Sequence, residues 1–329
     1  MFRGMFSRVR ETRRVLGTSI DALDWSEAID QIRDWAAWGQ SRYVCICNVH
    51  SVVTARHDPA FAAVLENADL ATPDGAPIAW MLRRLGAPRQ QRINGPDLMW
   101  RYCEQAAVSG ESIYLYGGSE TTLQALRERL LGAFPGLRIA GHYSPPYRPL
   151  TEEEDAAVVE RINASGASTV WVSLGCPKQE QWMAAHRGRI HAVMIGVGAA
   201  FDYHAGTLRR APLWMQQRGL EWLYRLCTEP RRLWRRYVFT NTRFLLGAAR
   251  QLLSGTQAMA SAAPVEQTAH TLPSARGSAS LPIEVPVWSP LDHLHPPGNS
   301  RLLELECIEC GALSMQGMPE KRIKASSFI

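Results

Sequence analysis

The stretch V-S-L-G-C-P-K-Q-E-Q-W-M (residues 172–183), followed by I-G-V-G-A-A-F-D (residues 195–202), decides the fold. Each segment starts as a short apolar β run, breaks at a glycine and continues into polar residues suited to a helix start. Two buried strands that each end in a glycine loop point to an open parallel α/β sheet. In such sheets ligands sit beyond the carboxyl ends of the strands, where free backbone N–H groups and helix N-termini converge. The pattern predicts a chain that handles a nucleotide.

The same alternation extends outward in both directions. Apolar residues at helical spacing over 24–38 precede a buried strand at 43–49, a helix at 57–67 and a short strand at 68–71 that breaks at T-P-D-G (72–75). Helices are expected at 77–85 and 96–107, then a strand at 112–116 with Gly117 and Gly118, and a helix capped by Ser119 running to 133. A strand at 139–143 leads through S-P-P-Y-R-P to Thr151 and Glu154, at capping-box spacing, and a helix to 164. A strand at 169–174, a helix at 177–187 and a strand at 192–196 complete the repeat. Strands separated by helices of this length imply a Rossmann-like parallel sheet flanked by helices.

The character changes near residue 213. Between residues 205 and 254 ten arginines face two acids, Glu221 and Glu229, a net of plus eight in a chain whose total is plus five. With Trp214, Trp222, Trp234 and Phe239 interleaved, this reads as two or three basic amphipathic helices interrupted at Pro230, suited to a phosphate-rich partner or an anionic membrane surface. Beyond residue 255 the composition turns to Ala, Ser, Thr, Pro and Gly, so a disordered tail is expected. The division is therefore a nucleotide-sugar-binding domain over 1–212, a basic helical appendage over 213–254 and a low-complexity tail over 255–329.

Composition narrows the class further. The seven cysteines, an odd number lying mostly in apolar segments, fit reduced thiols in the cytoplasm. Cys307 and Cys310 form a C-x-x-C without two further ligands at suitable spacing, and the histidines show no recurring ligand pattern, so no metal is expected. No apolar run approaches the roughly 18 residues needed to span a bilayer, and the N-terminus lacks the features of a signal peptide. The arginine stripe lacks a recognisable nucleic-acid module, so no nucleic acid is expected as partner.

Candidate chemistry gathers at the predicted strand ends. Asp74 in T-P-D-G is either a general base or a helix cap, and Asn48 either orients a sugar hydroxyl or closes a turn. Arg92 in R-I-N-G-P-D precedes a helix N-terminus, a natural combination for phosphate. Gly117 and Gly118 either approach a ligand closely or make a tight turn. Gly175 permits close approach beside Gln179 and Glu180, whose side chains either read a base or sugar or serve the helix start, and Asp202 is expected to end the following strand. G-V-G-A-A-F has Phe201 where a dinucleotide fingerprint requires its third glycine. No D-x-D acidic pair occurs, which favours charge neutralisation by arginine or helix ends.

Taken in order, N-V-H-S-V-V (48–53), P-D-G, R-I-N-G-P-D-L, Y-L-Y-G-G, L-G-C-P-K-Q-E-Q-W, G-V-G-A-A-F-D-Y-H-A-G, R-A-P and G-L-E-W-L-Y-R-L with E-P-R-R-L resemble the WecG/TagA/CpsF glycosyltransferase family across roughly residues 15–245. The resemblance implies an inverting, metal-independent transferase without a cofactor. It would move a sugar from a UDP-sugar to a polyprenyl-pyrophosphate-linked glycan at the cytoplasmic membrane face. It places the catalytic aspartate on Asp74, the phosphate-contacting arginine on Arg92, the motif glutamine on Gln179 and the nucleotide-side aspartate on Asp202. The family's basic appendage falls on about 213–246, with Arg225, Arg232 and Arg235 as its phosphate or membrane contacts. Many members carry threonine where this chain has Ile46. The N-V-H-S and S-P-P-Y-R wording is more like the exopolysaccharide branch than the teichoic acid one. A non-catalytic membrane-associated nucleotide-binding subunit is the alternative, and a homo-oligomer stays open.

Overall fold

The computed structural model describes residues 10–255; the expected low-complexity tail and the Cys307/Cys310 pair lie outside the described residues. The described chain opens with an antiparallel hairpin of β1 (Thr12–Val15) and β2 (Thr18–Asp21). Its turn residues Leu16 and Gly17 both have positive φ, 52° and 95°, as a two-residue hairpin turn that follows the strand twist requires. The hairpin is tied to the main sheet through Asp21. That buried carboxylate accepts two hydrogen bonds from Arg10 and one, at 2.6 Å, from the backbone N–H of Ala71.

Six parallel strands follow: β3 (Arg42–Cys47), β4 (Leu70–Pro73), β5 (Ser112–Gly117), β6 (Arg138–Tyr143), β7 (Thr169–Ser173) and β8 (Val193–Gly196), in the spatial order β4-β3-β8-β7-β5-β6. Alternation sorts their side chains onto two cores. Tyr43, Cys45 and Cys47 pack on one face, while Val44 and Ile46 pack on the other. Because both faces are covered, the strands read as continuous apolar runs. One face carries α1 (Trp25–Ala37), α5 (Gly95–Ser109), α6 (Glu120–Ala133) and α9 (Ala200–Ala205). The other carries α2 (Val49–His57), α3 (Pro59–Glu66), α4 (Ala76–Arg84), α7 (Glu152–Ala164) and α8 (Lys178–His186). Caps set the starts: Ser119 accepts from Thr122 N–H, and Thr151 with Glu154 closes the expected capping box.

The structure corrects the sequence reading between residues 43 and 67. The strand stops at Cys47 and a helix not foreseen, α2, occupies 49–57. The sequence reading runs the strand on to Val49 and leaves 50–56 unassigned, but the Asn48 side chain accepts from His50 and Ser51 N–H, which starts a helix, and burial of Val52 and Val53 holds it. Asp58 and Pro59 then restart the chain as α3.

Three helices end the described chain: α10 (Leu213–Gln217), α11 (Glu221–Thr228) and α12 (Pro230–Leu253). The C-terminal half of α12 docks on α2 and the hairpin through buried Phe244, Gly247 and Ala248. A Cβ on Gly247 would lie 2.6 Å from Leu16 Cδ2, so the helix axis depends on its absence. Gln251 fastens the contact by accepting from Leu16 N–H at 2.9 Å and donating to the Arg14 carbonyl at 2.6 Å.

At the end of β5, Gly117 has φ 105°, and a Cβ there would fall 2.4 Å from the Ser173 carbonyl oxygen on β7. Backbone cannot yield as a flexible side chain does. Gly117→Ala is therefore expected to lower stability by about 2–4 kcal/mol, measured by urea unfolding; a loss below about 0.5 kcal/mol would refute the close approach.

Candidate functional site

Strand order brings five carboxyl ends side by side, so the loops after β4, β3, β8, β7 and β5 line one edge of the sheet. Asn48 follows β3. Its Oδ1 caps α2 at 2.9 Å from His50 N–H and 3.2 Å from Ser51 N–H, while its amide nitrogen makes no hydrogen bond among the described residues. Asp74 follows β4, where its N–H donates to the Cys47 carbonyl at 2.9 Å. The next segment runs alongside, Ile93 N–H donating to the Pro73 carbonyl at 2.8 Å, and this sets Arg92 beside Asp74. Burial pushes the Asp74 carboxyl up to about 6; the Arg92 charge opposes the rise and Glu221 adds to it. A carboxylate with that proton affinity is suited to take a proton near neutral pH.

Arg92 does not stand free. It donates to Glu221 of α11, whose other oxygen accepts from Arg210 Nε at 3.1 Å. Arg210 in turn donates to both oxygens of Asp97, at 2.5 and 3.1 Å. Burial works against the Asp97 charge, yet the hydrogen bonds from Arg210 and Asn94 hold its carboxyl below the ordinary range. Beside this network lies a cleft of about 480 Å³, lined among others by Ala76, Arg83, Arg92, Arg101 and Gln216. Three cationic side chains at one concavity suit an anionic ligand. Sequence reasoning passed over Glu221, Arg210 and Asp97. The signals were present in R-A-P and N-G-P-D, but nothing in the order of residues pairs them.

The loop after β7 departs from expectation. Gln179 is buried: its Oε1 accepts from Gly198 N–H at 3.0 Å and its amide donates to Glu180 Oε1 at 2.9 Å. The side chain thus braces two glycine loops against each other instead of presenting its amide to a ligand. A Cβ on Gly196 would sit 2.7 Å from Met183 Cε and 3.0 Å from Gln179 Nε2, so both side chains crowd that position. Glu180 is buried as well; burial pushes its carboxyl up, opposed by hydrogen bonds from Gln179 and Cys176. Gly175 has φ 78° with open space where a Cβ would stand, and the Gly118 carbonyl accepts from Ser144 Oγ at 2.7 Å. Asp202 does not end a strand. β8 stops at Gly196, and Asp202 lies in α9 with Thr207 Oγ1 3.3 Å from its carboxylate, because only three residues, Val197 to Ala199, separate the strand from the helix.

The appendage arginines differ among themselves. Arg225 is half-buried over the Tyr203 ring, 6.0 Å from its centroid, with an unpartnered Nε. Arg232 is exposed and pairs with Glu229 at 2.6 Å; Arg235 is exposed beside Trp234. Only Arg225 of the three lies against the sheet domain. Between the two groups, Arg236 and burial act on His50 at the start of α2, burial first, pushing its imidazole down to about 4. Among the described residues no group of His, Cys, Asp and Glu is placed to hold a metal ion, and no helix is long and apolar enough to cross a membrane.

Residues 13–258 match the model of the glycosyl transferase WecG/TagA/CpsF family. The chain is also similar to the N-acetylglucosaminyldiphosphoundecaprenol N-acetyl-beta-D-mannosaminyltransferase of Bacillus spizizenii. The two are 34% identical over 197 residues, which cover 60% of this chain and 74% of that protein.

The electrostatics of Asp74 have a consequence for stability. Its proton affinity is raised in the fold, from an ordinary 3.8 to about 6, so the ionised form weakens the fold above that pH and the penalty vanishes below about 4. Asp74→Asn is expected to stabilise the protein by on the order of 2 kcal/mol at pH 8 and to be neutral at pH 4. Urea unfolding at the two pH values checks this; equal effects at both would sink it.

Proposed function

The chain belongs to the WecG/TagA/CpsF family of glycosyltransferases, and on that premise we propose that it transfers a sugar, with inversion, from a UDP-sugar to a polyprenyl-diphosphate-linked glycan. The observation that carries the reading is Asp74: a carboxylate at a strand end, beside an arginine-lined cleft, with its proton affinity raised toward neutrality. Asp74 takes the proton of the acceptor hydroxyl as that oxygen attacks C1 of the donor from the face opposite the diphosphate. One displacement inverts the anomeric centre. The bond from C1 to the diphosphate oxygen breaks and leaves charge on UDP. Arg92, with Arg225 from the appendage, stabilises that charge without a metal. The Asn48 amide nitrogen is available to a sugar hydroxyl, and Gly117, Gly118 and Gly175 keep the strand ends open to the donor. Gln179 and Glu180 act by holding the loops that border it.

The name of the Bacillus relative makes UDP-N-acetylmannosamine the first donor to test, and undecaprenyl-diphosphate-linked N-acetylglucosamine the first acceptor. We assign the product to cell-surface polysaccharide, on the exopolysaccharide branch that the N-V-H-S and S-P-P-Y-R segments suggest. Residues 213–254 serve as an appendage that covers the site and meets the inner face of the cell membrane. On α12 the exposed Trp234, Phe239, Leu245 and Leu246 alternate with Arg231, Arg232, Arg235 and Arg243. Apolar and cationic side chains sharing a solvent-facing helix surface suit an anionic bilayer.

Asp74→Asn is expected to lower kcat about a hundredfold to ten-thousandfold with donor binding retained. In the unaltered enzyme kcat should rise with pH and level off above about 6, as the base ionises. Turnover measured with EDTA present checks base and metal independence together; near-normal turnover of the variant removes Asp74 from the mechanism. Membrane contact is tested by flotation with vesicles containing phosphatidylglycerol. Truncation before α10 would strip buried Phe244 and Ala248 from the core, so Phe239, Leu245 and Leu246 are replaced by serine instead. Loss of flotation is expected, and unchanged flotation overturns the assignment.

A further inference from the structure

Glu221 bridges two guanidiniums. One carboxylate oxygen accepts from Arg92 and the other from Arg210 Nε, which also places Arg210 against Asp97. The four side chains retain only 20–35% of their exposure, so water screens them weakly. Two cations face two carboxylates, and the cluster carries no net positive charge. A diphosphate entering the cleft beside Arg92 therefore gains the arginine pair only if a carboxylate leaves.

The two carboxylates are not equally held. Asp97 stands in the first turn of α5, where its N–H donates to Asn94 Oδ1 at 2.9 Å and its carboxylate accepts from the Asn94 amide at 2.7 Å. Glu221 stands at the start of α11, a helix with no buried residue and no side-chain N-cap. The Glu221 bridge is what binds that helix to the Arg92 loop. A carboxylate spanning two guanidiniums offers the same bidentate oxygens that a phosphate group does.

We propose that Arg210 is, with Arg92, a binding residue for the diphosphate of the ligand, and that Glu221 is the internal carboxylate with which this diphosphate exchanges, α11 moving as it does. The inference rests on reading the cleft as the site of a phosphorylated ligand. The exchange substitutes one anion for another near Asp74, so the base keeps the neighbour charge that favours its proton. It also gives α11 a reason to shift on binding: the contact that ties it to the Arg92 loop is the one the ligand replaces.

Calorimetric titration of the full chain with UDP and with inorganic pyrophosphate tests the exchange. Glu221→Gln is expected to tighten both by about tenfold, and Arg210→Gln to weaken both by at least as much. Hydrogen exchange on the unaltered protein should show residues 221–228 exchanging faster when UDP is bound. Unchanged or weaker binding by folded Glu221→Gln, or wild-type binding by Arg210→Gln, overturns the proposal. Should Glu221→Gln fail to fold, the hydrogen-exchange result decides alone, and no change over 221–228 overturns it. Pyrophosphate responding as expected while UDP fails to bind supports the exchange and removes the nucleotide-sugar reading. Normal UDP binding indifferent to both substitutions removes the exchange and leaves that reading intact.

Discussion

A parallel sheet covered by helices on both faces leaves little room for polar chemistry except along the edge where its strands end. Within the inner strands the backbone groups pair with neighbours on both sides, and the side chains of both faces are pressed into a core. In this protein the constraint is severe: strands β3, β7 and β8 are buried almost throughout. Asn48, Asp74 and the glycine loops sit at the edge because it is where unpaired N–H groups and partial access to water coexist.

Placing a carboxylate there is unfavourable unless cations offset it, and the cations in turn require partners. Asp74 is matched by Arg92, Arg92 by Glu221, and Glu221 by Arg210, which Asp97 completes. The chain of pairs crosses from the sheet domain into α11. That helix buries no residue fully, and Glu221 ties it to the Arg92 loop beside the ring contacts of Trp222 with Tyr237 and of Arg225 with Tyr203. The appendage is consequently joined in two unlike ways: firmly, through Phe244, Gly247 and Ala248 near the end of α12, and electrostatically, at Glu221.

The glycine loops answer a different need. At Gly117 the Ser173 carbonyl oxygen occupies the space a Cβ would take, and at Gly196 Met183 Cε and the Gln179 amide crowd it. The second of these turns Gln179 into a brace. Its neighbour Glu180 is buried beside it, accepting from the Gln179 amide, and burial pushes its carboxyl up.

Periodicity, caps and the order of motif blocks were enough to establish the parallel α/β class, most element boundaries and the family. These depend on local spacing, which a linear chain records directly. The adjacency of Asp74 and Arg92 came instead from the pairing of Ile93 with Pro73. α2 escaped because its short span carries no clear helical period, and a single asparagine cap decides where it starts. Three further matters belonged to tertiary structure alone: that Gln179 faces inward, that Asp202 lies within a helix rather than at a strand end, and that Glu221 closes on Arg92 and Arg210 from 129 and 11 residues away. Which side chain meets which across such separations is settled by packing, because hydrogen-bond geometry and burial are properties of the assembled loops and leave no period in the sequence.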